Sequence, residues 1–327
     1  MNNRIDVVWA ALRRCFAVSC IAAAFPAAAQ EFPTKPIRLI VPFGAGTTAD
    51  IIARTIGASL NKDFGQPVVI DNRPGAAGTV GAELVARANN DGYTLVLGTI
   101  ASHGIGTLMF PVRYNPIKDF EPITLIANSP NLLVVHRAIP VTTPAQLIEY
   151  AKKAGTLNFT SAGTATTSHL AGELLRLKQG APLAHVAYRQ GGQALTDLLS
   201  GQIPVMIWQP PPLRPHIASG ALKAVAAMSA ARISSFPNVP TISETLIPGF
   251  DSNAWFGILA PAGTPRRIID KLHQAILAAL ETPELKQHFT VQGLEPAVGG
   301  PEPFRKQIPA DLAKWREVIQ AAGVKAE

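Results

Sequence analysis

The sequence predicts an α/β protein with two lobes, each built on a mostly parallel sheet flanked by helices. From Pro36 onward, short apolar and β-branched segments alternate with longer segments of helical periodicity, as in βαβ units. The alternation restarts after Pro130. The chain has 327 residues, more than one hydrophobic core commonly organises, so two lobes are expected.

The first lobe begins with a strand at 37–41, a glycine-bearing loop and a helix on which Ile52, Ile56 and other apolar residues share one face. Strands at 68–70 and 93–97 follow, with a helix at 77–88 between them. The last of these strands ends in the small, polar segment 98–102. Loops therefore follow strand after strand in this part of the chain.

The second lobe is predicted to start after Pro130. Its elements are strands at 132–135, 157–160, 184–187 and 204–207 and helices at 144–154, 168–178 and 193–199. A strand at 255–259 and three helices close the chain, and the last helix returns to the first lobe. We therefore assign residues 30–128 and 251–327 to lobe I and residues 129–250 to lobe II.

Residues 1–29 have the pattern of a signal peptide that directs export to the periplasm. Arg4, Arg13 and Arg14 precede an apolar segment at 15–26, and small residues precede the expected cleavage between Ala29 and Gln30. The apolar segment is shorter than the roughly 20 residues that span a bilayer. A lipid-modified Cys20 is the alternative, although the apolar core before it is short for an export signal.

Composition excludes several classes of function. Both cysteines, Cys15 and Cys20, fall in the leader, so the mature chain has no disulfide, thiolate metal site or cysteine nucleophile. The leader carries three arginines and Asp6, so its removal lowers the formal net charge from +7 to +5. The basic residues are scattered and only 6% of residues are aromatic, which argues against nucleic-acid binding.

We expect no metal, no cofactor and no catalytic residue. The histidines include no H-x-H or H-E-x-x-H spacing, and no G-x-S-x-G motif is present. Ser168 and His169 are neighbours on one predicted helix, where adjacent side chains point in different directions. The sequence therefore has no local pattern of a hydrolase or of a metalloenzyme, and we expect the chain not to be an enzyme.

The most informative segment is the glycine-bearing loop at 42–50, the first loop below. A loop between a strand and a helix directs backbone N–H groups at an anion near the positive end of the helix. An alternative is an NAD(P)-dependent oxidoreductase, because Gly44-x-Gly46-x-x-Ala49 matches the dinucleotide fingerprint and Asp71 could bind a ribose. A further alternative is that Thr47 only caps the helix, with Asp50 as its reciprocal partner.

The ordered set of motifs resembles the Bug family of TctC-like periplasmic binding proteins. The matching blocks are Pro42-Phe-Gly-Ala-Gly-x-x-x-Asp50, Asp71-Asn-Arg-Pro-Gly-Ala-Ala-Gly78, Asp91-Gly-Tyr-Thr-Leu, Tyr114-Asn-Pro-x-x-Asp-Phe-x-Pro-Ile, Ser161-Ala-Gly-Thr, His169-Leu, Tyr188-Arg, Ala194-Leu-x-Asp-Leu-Leu, Pro240-Thr-Ile-x-Glu and Trp255-Phe-Gly-Ile-Leu-Ala-Pro-Ala-Gly-Thr-Pro265. They span nearly the whole mature chain. The resemblance implies a type II periplasmic-binding-protein fold with the ligand between the lobes.

By this resemblance, a small organic acid is held between the first loop and a second loop at 161–166, for delivery to a tripartite tricarboxylate-type transporter or to a sensor protein. We expect a monomer. In the first lobe the implied ligand-binding residues are Pro42, Phe43, Gly46, Thr47, Asp50 and Ser102. In the second lobe they are Ser161, Gly163, Thr164, Thr166, His169, Tyr188, Arg189, Gln193 and Trp208.

Several of these residues also have a structural interpretation. His169 can serve packing alone, and Arg189 can be a solvated loop charge or can attract a second carboxylate. The family commonly has an acid or a polar residue where this chain has Trp208-Gln209, and segment 103–110 lacks a familiar Asn-Pro. A tryptophan at this place favours an apolar or ring-containing ligand, unless it only packs between strands.

Overall fold

The computed structural model describes residues 31–188 and 190–324, so the predicted leader, its cleavage site and Arg189 lie outside the described residues. The elements below belong to one compact unit that begins at Lys35. The strands in chain order are β1 (Ile37–Val41), β2 (Val68–Asn72), β3 (Thr94–Thr99), β4 (Phe120–Pro130), β5 (Leu132–His136), β6 (Leu157–Ser161), β7 (Leu183–His185), β8 (Val205–Trp208), β9 (Leu222–Ala227), β10 (Asn253–Pro261) and β11 (Glu295–Gly299).

Helices cover both sheets. They are α1 (Thr48–Phe64), α2 (Thr79–Ala86), α3 (Gly106–Met109), α4 (Pro144–Ala154), α5 (Thr167–Gln179), α6 (Gly191–Leu199), α7 (Pro210–Ala218), α8 (Ile242–Thr245), α9 (Arg266–Glu281), α10 (Pro283–Gln292) and α11 (Pro301–Ala322). A 3₁₀ turn at Ala76–Gly78 precedes α2, and a π-helical turn at Ala101–Ile105 precedes α3. None of the described helices is long and apolar enough to cross a membrane.

The strands form two sheets. The first has six strands in the order β11-β4-β10-β3-β1-β2, and the second has five in the order β7-β6-β8-β5-β9. The β1 strand is parallel to β2 and β3, and β6 is parallel to β7 and β8. Two of these parallel strands, β1 and β6, are followed by the loops at 42–50 and 161–166.

Both sheets are mixed rather than mostly parallel. In the first sheet β10 is antiparallel to β3 and β4, and in the second β5 is antiparallel to β8 and β9. The chain leaves the first sheet along β4 and re-enters it along β10, with Asn253 paired to Pro130, so these neighbours must run in opposite directions. The apolar pattern of a strand does not encode this direction.

The passages between the sheets are joined by buried hydrogen bonds. Asn131 follows β4, and its Nδ2 donates to the carbonyl of Ser252, just before β10, at 2.7 Å. The backbone N–H groups of Met228 and Ser252 donate to the carbonyls of Asn131 and Met228. The lobe boundaries at 128/129 and 250/251 stay a prediction.

The apolar faces of the helices build the core. Helix α1 buries Ile52, Ile56 and Leu60 beside β1 and β2, as its periodicity predicts. Helix α11 buries Phe304, Ile308 and Trp315, and it contacts both β4 and α5. Strand β11 was not expected from the sequence. It contains Pro296, and proline is tolerated in a sheet mainly at an edge. Strand β11 lies at the edge of the first sheet.

Candidate ligand-binding site

The first and second loops have the same setting. The first loop joins β1 to α1 and the second joins β6 to α5, so each lies between the carboxyl end of a parallel strand and the start of a helix. Phe43 and Thr47 of the first loop and Ala162 and Thr166 of the second line the same two adjoining cavities. The two loops therefore lie on opposite walls of one cleft.

The inner cavity, called the chamber below, has a volume of about 40 Å³. It has room for about three water molecules or one carboxylate group. Its lining residues are Phe43, Thr47, Thr48, Ala49, Thr99, Ile100, Ala101, Ala162, Thr166, Thr167, Trp208, Gln209, Ala254 and Phe256.

The outer cavity, called the wide compartment, has a volume of about 730 Å³. Its lining residues are Phe43, Gly44, Thr47, Pro74, Gly75, Ala76, Ala77, Gly78, Phe110, Ala162, Gly163, Thr164, Thr166, Ala187, Tyr188, Gln190 and Gly191. Among the described residues that line the chamber and the wide compartment, none carries a formal charge.

The two loops have the same pattern of hydrogen bonds. Thr47 Oγ1 donates to the carbonyl of Gly44 at 2.7 Å and accepts from the Asp50 N–H at 3.4 Å. Thr166 Oγ1 donates to the carbonyl of Gly163 at 2.7 Å and accepts from the His169 N–H at 3.4 Å. The side chains of Thr47 and Thr166 are therefore N-caps, as the capping alternative states, and their protons are used inside the loops.

The threonine that follows each N-cap has a hydroxyl proton that it can donate to a ligand. Thr48 is buried, and its Oγ1 has no hydrogen-bond partner among the described residues. Thr167 Oγ1 accepts from Nδ2 of Asn131 at 3.1 Å, and its own proton has no acceptor in the described part of the chain. Sequence reasoning missed Thr167, although the repeated Thr-Thr pair was a usable signal.

The positive character of the chamber comes from backbone. Helix α1 has 17 residues and α5 has 13, and both begin at residues that line the chamber. The N–H groups of a first helical turn have no partner within the helix, and the helix dipole places partial positive charge there. Two such helix N-termini on opposite walls can bind an anion without any lysine or arginine.

Asp50 would oppose an anion if its charge faced the chamber, but the carboxylate is bound elsewhere. It accepts from the Gly46 N–H at 2.9 Å, from Asn72 Nδ2 at 3.0 Å and from Arg54 Nε at 3.0 Å. Burial alone would raise the pKa of Asp50, yet the Arg54, Gly46 and Asn72 hydrogen bonds together hold that pKa below its ordinary value. Asp50 therefore organises the first loop, as predicted, and the expected reciprocal bond goes to Gly46 rather than to Thr47.

Comparison with known proteins shows the family of this chain. A model of the tripartite tricarboxylate transporter family receptor, TctC, matches residues 52–324. The chain belongs to this family. The TctC receptor described here is 33% identical to protein BugT of Bordetella pertussis over 305 residues, which are 92% of this chain and 94% of BugT.

Solved structures of related receptors confirm the two-lobed fold. The R. palustris Rpa4515 protein with adipate is 34% identical, has a TM-score of 0.88, and the match covers 90% of this chain and 99% of that one. The periplasmic binding protein BugD is 32% identical with a TM-score of 0.85, covering 90% and 100%. MatC from Rhodopseudomonas palustris with bound malate is 32% identical with a TM-score of 0.81, covering 88% and 100%. Relatives that are periplasmic support the predicted periplasmic location.

Seven predicted ligand-binding residues line the cleft of this TctC receptor. They are Phe43, Thr47, Gly163, Thr164, Thr166, Tyr188 and Trp208. Seven others line neither cavity, namely Pro42, Gly46, Asp50, Ser102, Ser161, His169 and Gln193. Arg189 lies outside the described residues.

Ser102 lies beside the first loop but lines neither cavity: a Cβ on Gly78 would lie 3.1 Å from the Cβ atoms of both Pro42 and Ser102. Its side chain is fully buried, and its Oγ accepts from the Thr99 N–H at 3.0 Å and lies 2.9 Å from Nδ1 of His103. The π-helical turn after β3 turns Ser102 inward and leaves Thr99, Ile100 and Ala101 on the chamber wall. A direct ligand contact of Ser102 does not fit this placement.

Ser161 and His169 also lie behind the second loop. Ser161 Oγ contacts Nε2 of His185 at 2.8 Å, and Nδ1 of His169 accepts from the Ala165 N–H at 3.3 Å. The rings of His169 and His185 lie 4.0 Å apart. The histidine pair therefore supports the loop from outside, which agrees with the packing interpretation of His169.

Tyr188 lines the wide compartment with its hydroxyl already bonded. The Tyr188 Oη donates to Oδ2 of Asp197 at 2.7 Å, and desolvation together with this carboxylate raises the pKa of Tyr188 to about 12. The phenol ring is then the part of Tyr188 that a ligand can contact. Gln193 is exposed on α6 and lies outside both cavities.

Trp208 combines the two interpretations drawn from the sequence. It is 2% exposed and packs in the core with Leu198 and Leu213, and it also lines the chamber. A Cβ on Gly191 would lie 2.8 Å from Cη2 of Trp208, so α6 holds one edge of the ring. The indole is a fixed apolar wall rather than a mobile side chain.

Proposed function

We propose that this TctC-family receptor is an exported, non-enzymatic solute-binding protein that captures a small carboxylate-containing metabolite in the chamber and the wide compartment. The observation that carries the proposal is the convergence of two helix starts, those of α1 and α5, on one chamber. The relatives whose structures contain adipate and malate support the same class of ligand.

The carboxylate occupies the chamber and the remainder of the ligand occupies the wide compartment. Unpaired N–H groups of the first helical turns and the hydroxyls of Thr48 and Thr167 donate to the carboxylate oxygens. The chamber walls include Phe43, Ile100 and Phe256, and such apolar surroundings strengthen each electrostatic contact. Tyr188 and Trp208 offer ring faces to an apolar or aromatic part of the ligand.

Ligand binding stabilises the closed arrangement of the two lobes. A carboxylate in the chamber contacts both the first and the second loop at once, whereas in an open form it would contact only one. Binding therefore shifts the population toward the closed form, with the hinge at the passages that contain Asn131 and Ser252. The closed receptor, a monomer, then delivers its ligand to the membrane subunits of a tripartite tricarboxylate-type transporter.

The oxidoreductase alternative has less support. Asp71, the residue that would bind a ribose, bonds instead to Arg38 and to Arg73, whose Nε lies 2.9 Å from Oδ1. Within residues 31–188 and 190–324, no three His, Cys, Asp or Glu side chains are grouped to hold a metal ion. The predicted absence of catalysis remains part of this proposal.

Calorimetric titration of the protein beginning at Gln30 tests the proposal. The probes are malate, adipate, citrate and benzoate, the amides of adipate and benzoate, and NADH. At least one carboxylate should bind with micromolar or tighter affinity while its amide and NADH do not. Binding of NADH with no response to any carboxylate would overturn the proposal.

Uptake measurements separate transport from sensing. Deletion of the gene should abolish uptake of the carboxylate that the protein binds, and the gene supplied in trans should restore it. Normal uptake in the deletion strain would contradict delivery to a transporter and would favour a sensor as the partner.

A further inference from the structure

The chamber has a third wall that neither loop provides. It is formed at the junction of β8 and α7 by Trp208 and Gln209. Gln209 is 6% exposed and is the N-cap residue of α7, but its side chain makes no capping hydrogen bond. Nor does this side chain bond to any other residue in the described part of the chain, so its carboxamide lines the chamber without a protein partner.

The start of α7 differs chemically from those of α1 and α5. Residues Pro210, Pro211 and Pro212 occupy its first three positions, and proline has no backbone N–H. The backbone donors that α1 and α5 present to the chamber are therefore missing on this wall. The side-chain donors left on this wall are the Nε2 of Gln209 and the indole Nε1 of Trp208.

Thr48 lines the same chamber, and its side chain also lacks a hydrogen-bond partner among the described residues. Its Oγ1 is buried. Polar groups buried without partners in a native protein call for an explanation, and a bound ligand is one. Thr48 and Gln209 line one chamber and neither side chain donates to another described residue, which points to a ligand group that accepts hydrogen bonds from both walls.

We propose that Gln209 selects the ligand head group, by donating from Nε2 to a carboxylate oxygen that Thr48 contacts from the first loop. This inference rests on the proposed function and adds a specificity-determining residue to it. A neutral donor on this wall favours a carboxylate without holding it through an ion pair. An acid at the same position would repel the carboxylate and accept a hydrogen bond from an amide instead.

Two variants test this role, with the probe pairs benzoate and benzamide, and adipate and its monoamide. Gln209→Met has nearly the same shape and no donor, so carboxylate affinity should fall about 10- to 100-fold, as for a lost hydrogen bond to a charged group. Gln209→Glu should lower it more than 100-fold and should reverse the preference, so that the amide binds better than the acid. Gln202→Glu is the matched control, since Gln202 is exposed, lies in the same sheet region and lines neither cavity.

Circular dichroism melts of each variant show whether the fold is retained, and a preference reversal is not expected from a structural defect. If wild type prefers the carboxylate and Gln209→Glu keeps both its affinity and its preference, the role of Gln209 is wrong while the proposed function stands. If wild type binds no member of either pair or of the wider carboxylate panel, the proposed function itself fails, and this inference with it.

Discussion

Thr47 and Thr166 stand at equivalent positions in two separate loops, and each donates its hydroxyl proton to the carbonyl of the glycine three residues earlier at 2.7 Å. Each also accepts from the N–H three residues later, at 3.4 Å. The two walls of the cleft are thus built by one local design used twice, once in each sheet. Because capping consumes these hydroxyls, the neighbouring threonines are left to face the chamber.

Removal of a capping threonine should destabilise the fold. Thr47→Ala and Thr166→Ala each lose an N-cap, which costs about 1 kcal/mol in the free energy of unfolding. Urea unfolding monitored by circular dichroism measures the change. A control is Thr196→Ala, because Thr196 makes only an exposed bond to the Gly192 carbonyl within α6. Unchanged stability in both capping variants would contradict the assigned role.

Substitution of Thr48 should weaken ligand binding without destabilising the fold. Thr48→Val keeps the shape and removes a buried hydroxyl that has no protein partner, so the free energy of unfolding should stay within about 0.5 kcal/mol of wild type. Affinity for the bound carboxylate should fall about 10-fold, because one hydrogen bond to a charged group is lost. Calorimetric titration beside urea unfolding checks both parts, and unchanged affinity would place the carboxylate elsewhere.

The Trp208 ring can be displaced from behind by a single methyl group. A Cβ on Gly191 would lie 2.8 Å from the ring, whereas a Cβ on Gly192 would have no heavy atom within 4 Å. Gly191→Ala should therefore shift the tryptophan emission, weaken ligand binding several-fold and cost about 1–3 kcal/mol through overpacking. Gly192→Ala is the matched control and should change none of these quantities. Equal behaviour of the two variants would show that the ring is free to move.

Asn131 connects both passages between the sheets to the second wall of the chamber. Its Nδ2 bonds to the carbonyl of Ser252 at 2.7 Å and to Oγ1 of Thr167 at 3.1 Å, all without solvent exposure. Asn131→Ala should lower the free energy of unfolding by about 2–3 kcal/mol, because buried partners are left unpaired. The exposed Asn90, with one bond to the Gly263 carbonyl at 3.1 Å, provides a control that should cost about 0.5 kcal/mol.

Two buried histidines should make the protein sensitive to acid. Burial lowers the pKa of His103 to about 3, and burial together with the neighbouring His169 lowers the pKa of His185 to about 3. Both pKa values lie below those of an unfolded chain, so the unfolded state binds more protons at low pH. The contribution of these neutral histidines to the free energy of unfolding is fully present above about pH 6.5. It is lost as the pH drops toward 3, by at most about 1.4 kcal/mol per pH unit for each histidine.

Urea unfolding across this pH range measures the slope. In His185→Gln the slope should be smaller than in wild type, since one of the two groups no longer titrates. A free energy of unfolding that stays constant between pH 6.5 and 4 would contradict the assignment of neutral, buried imidazoles.

Much of the site was predictable because its backbone pattern is local. Glycine and threonine between an apolar strand and a helical segment indicate a capped helix start, and Phe43, Thr166 and Tyr188 were placed in the cleft from such motifs and their family resemblance. The expected strands at 132–135 and 157–160 correspond to β5 and β6. The full burial of Ser102 was not predictable, because a π-helical turn follows β3 and no residue pattern in the local sequence indicates that turn.

Residue type and spacing by themselves determined the α/β class and the strand–loop–helix pattern of the two loops, since both depend on periodicity and on short motifs, and the order of those motifs carried the resemblance to the family. Only the tertiary structure decided which hydroxyls are free, because a hydroxyl's availability depends on all of its neighbours. Asn131 reaches Thr167 across 36 positions of sequence, and Gln209 and Thr48 line the same chamber only because β8 ends and α1 begins there. Strand direction was likewise decided by the return of the chain along β10, a long-range event that no local pattern records.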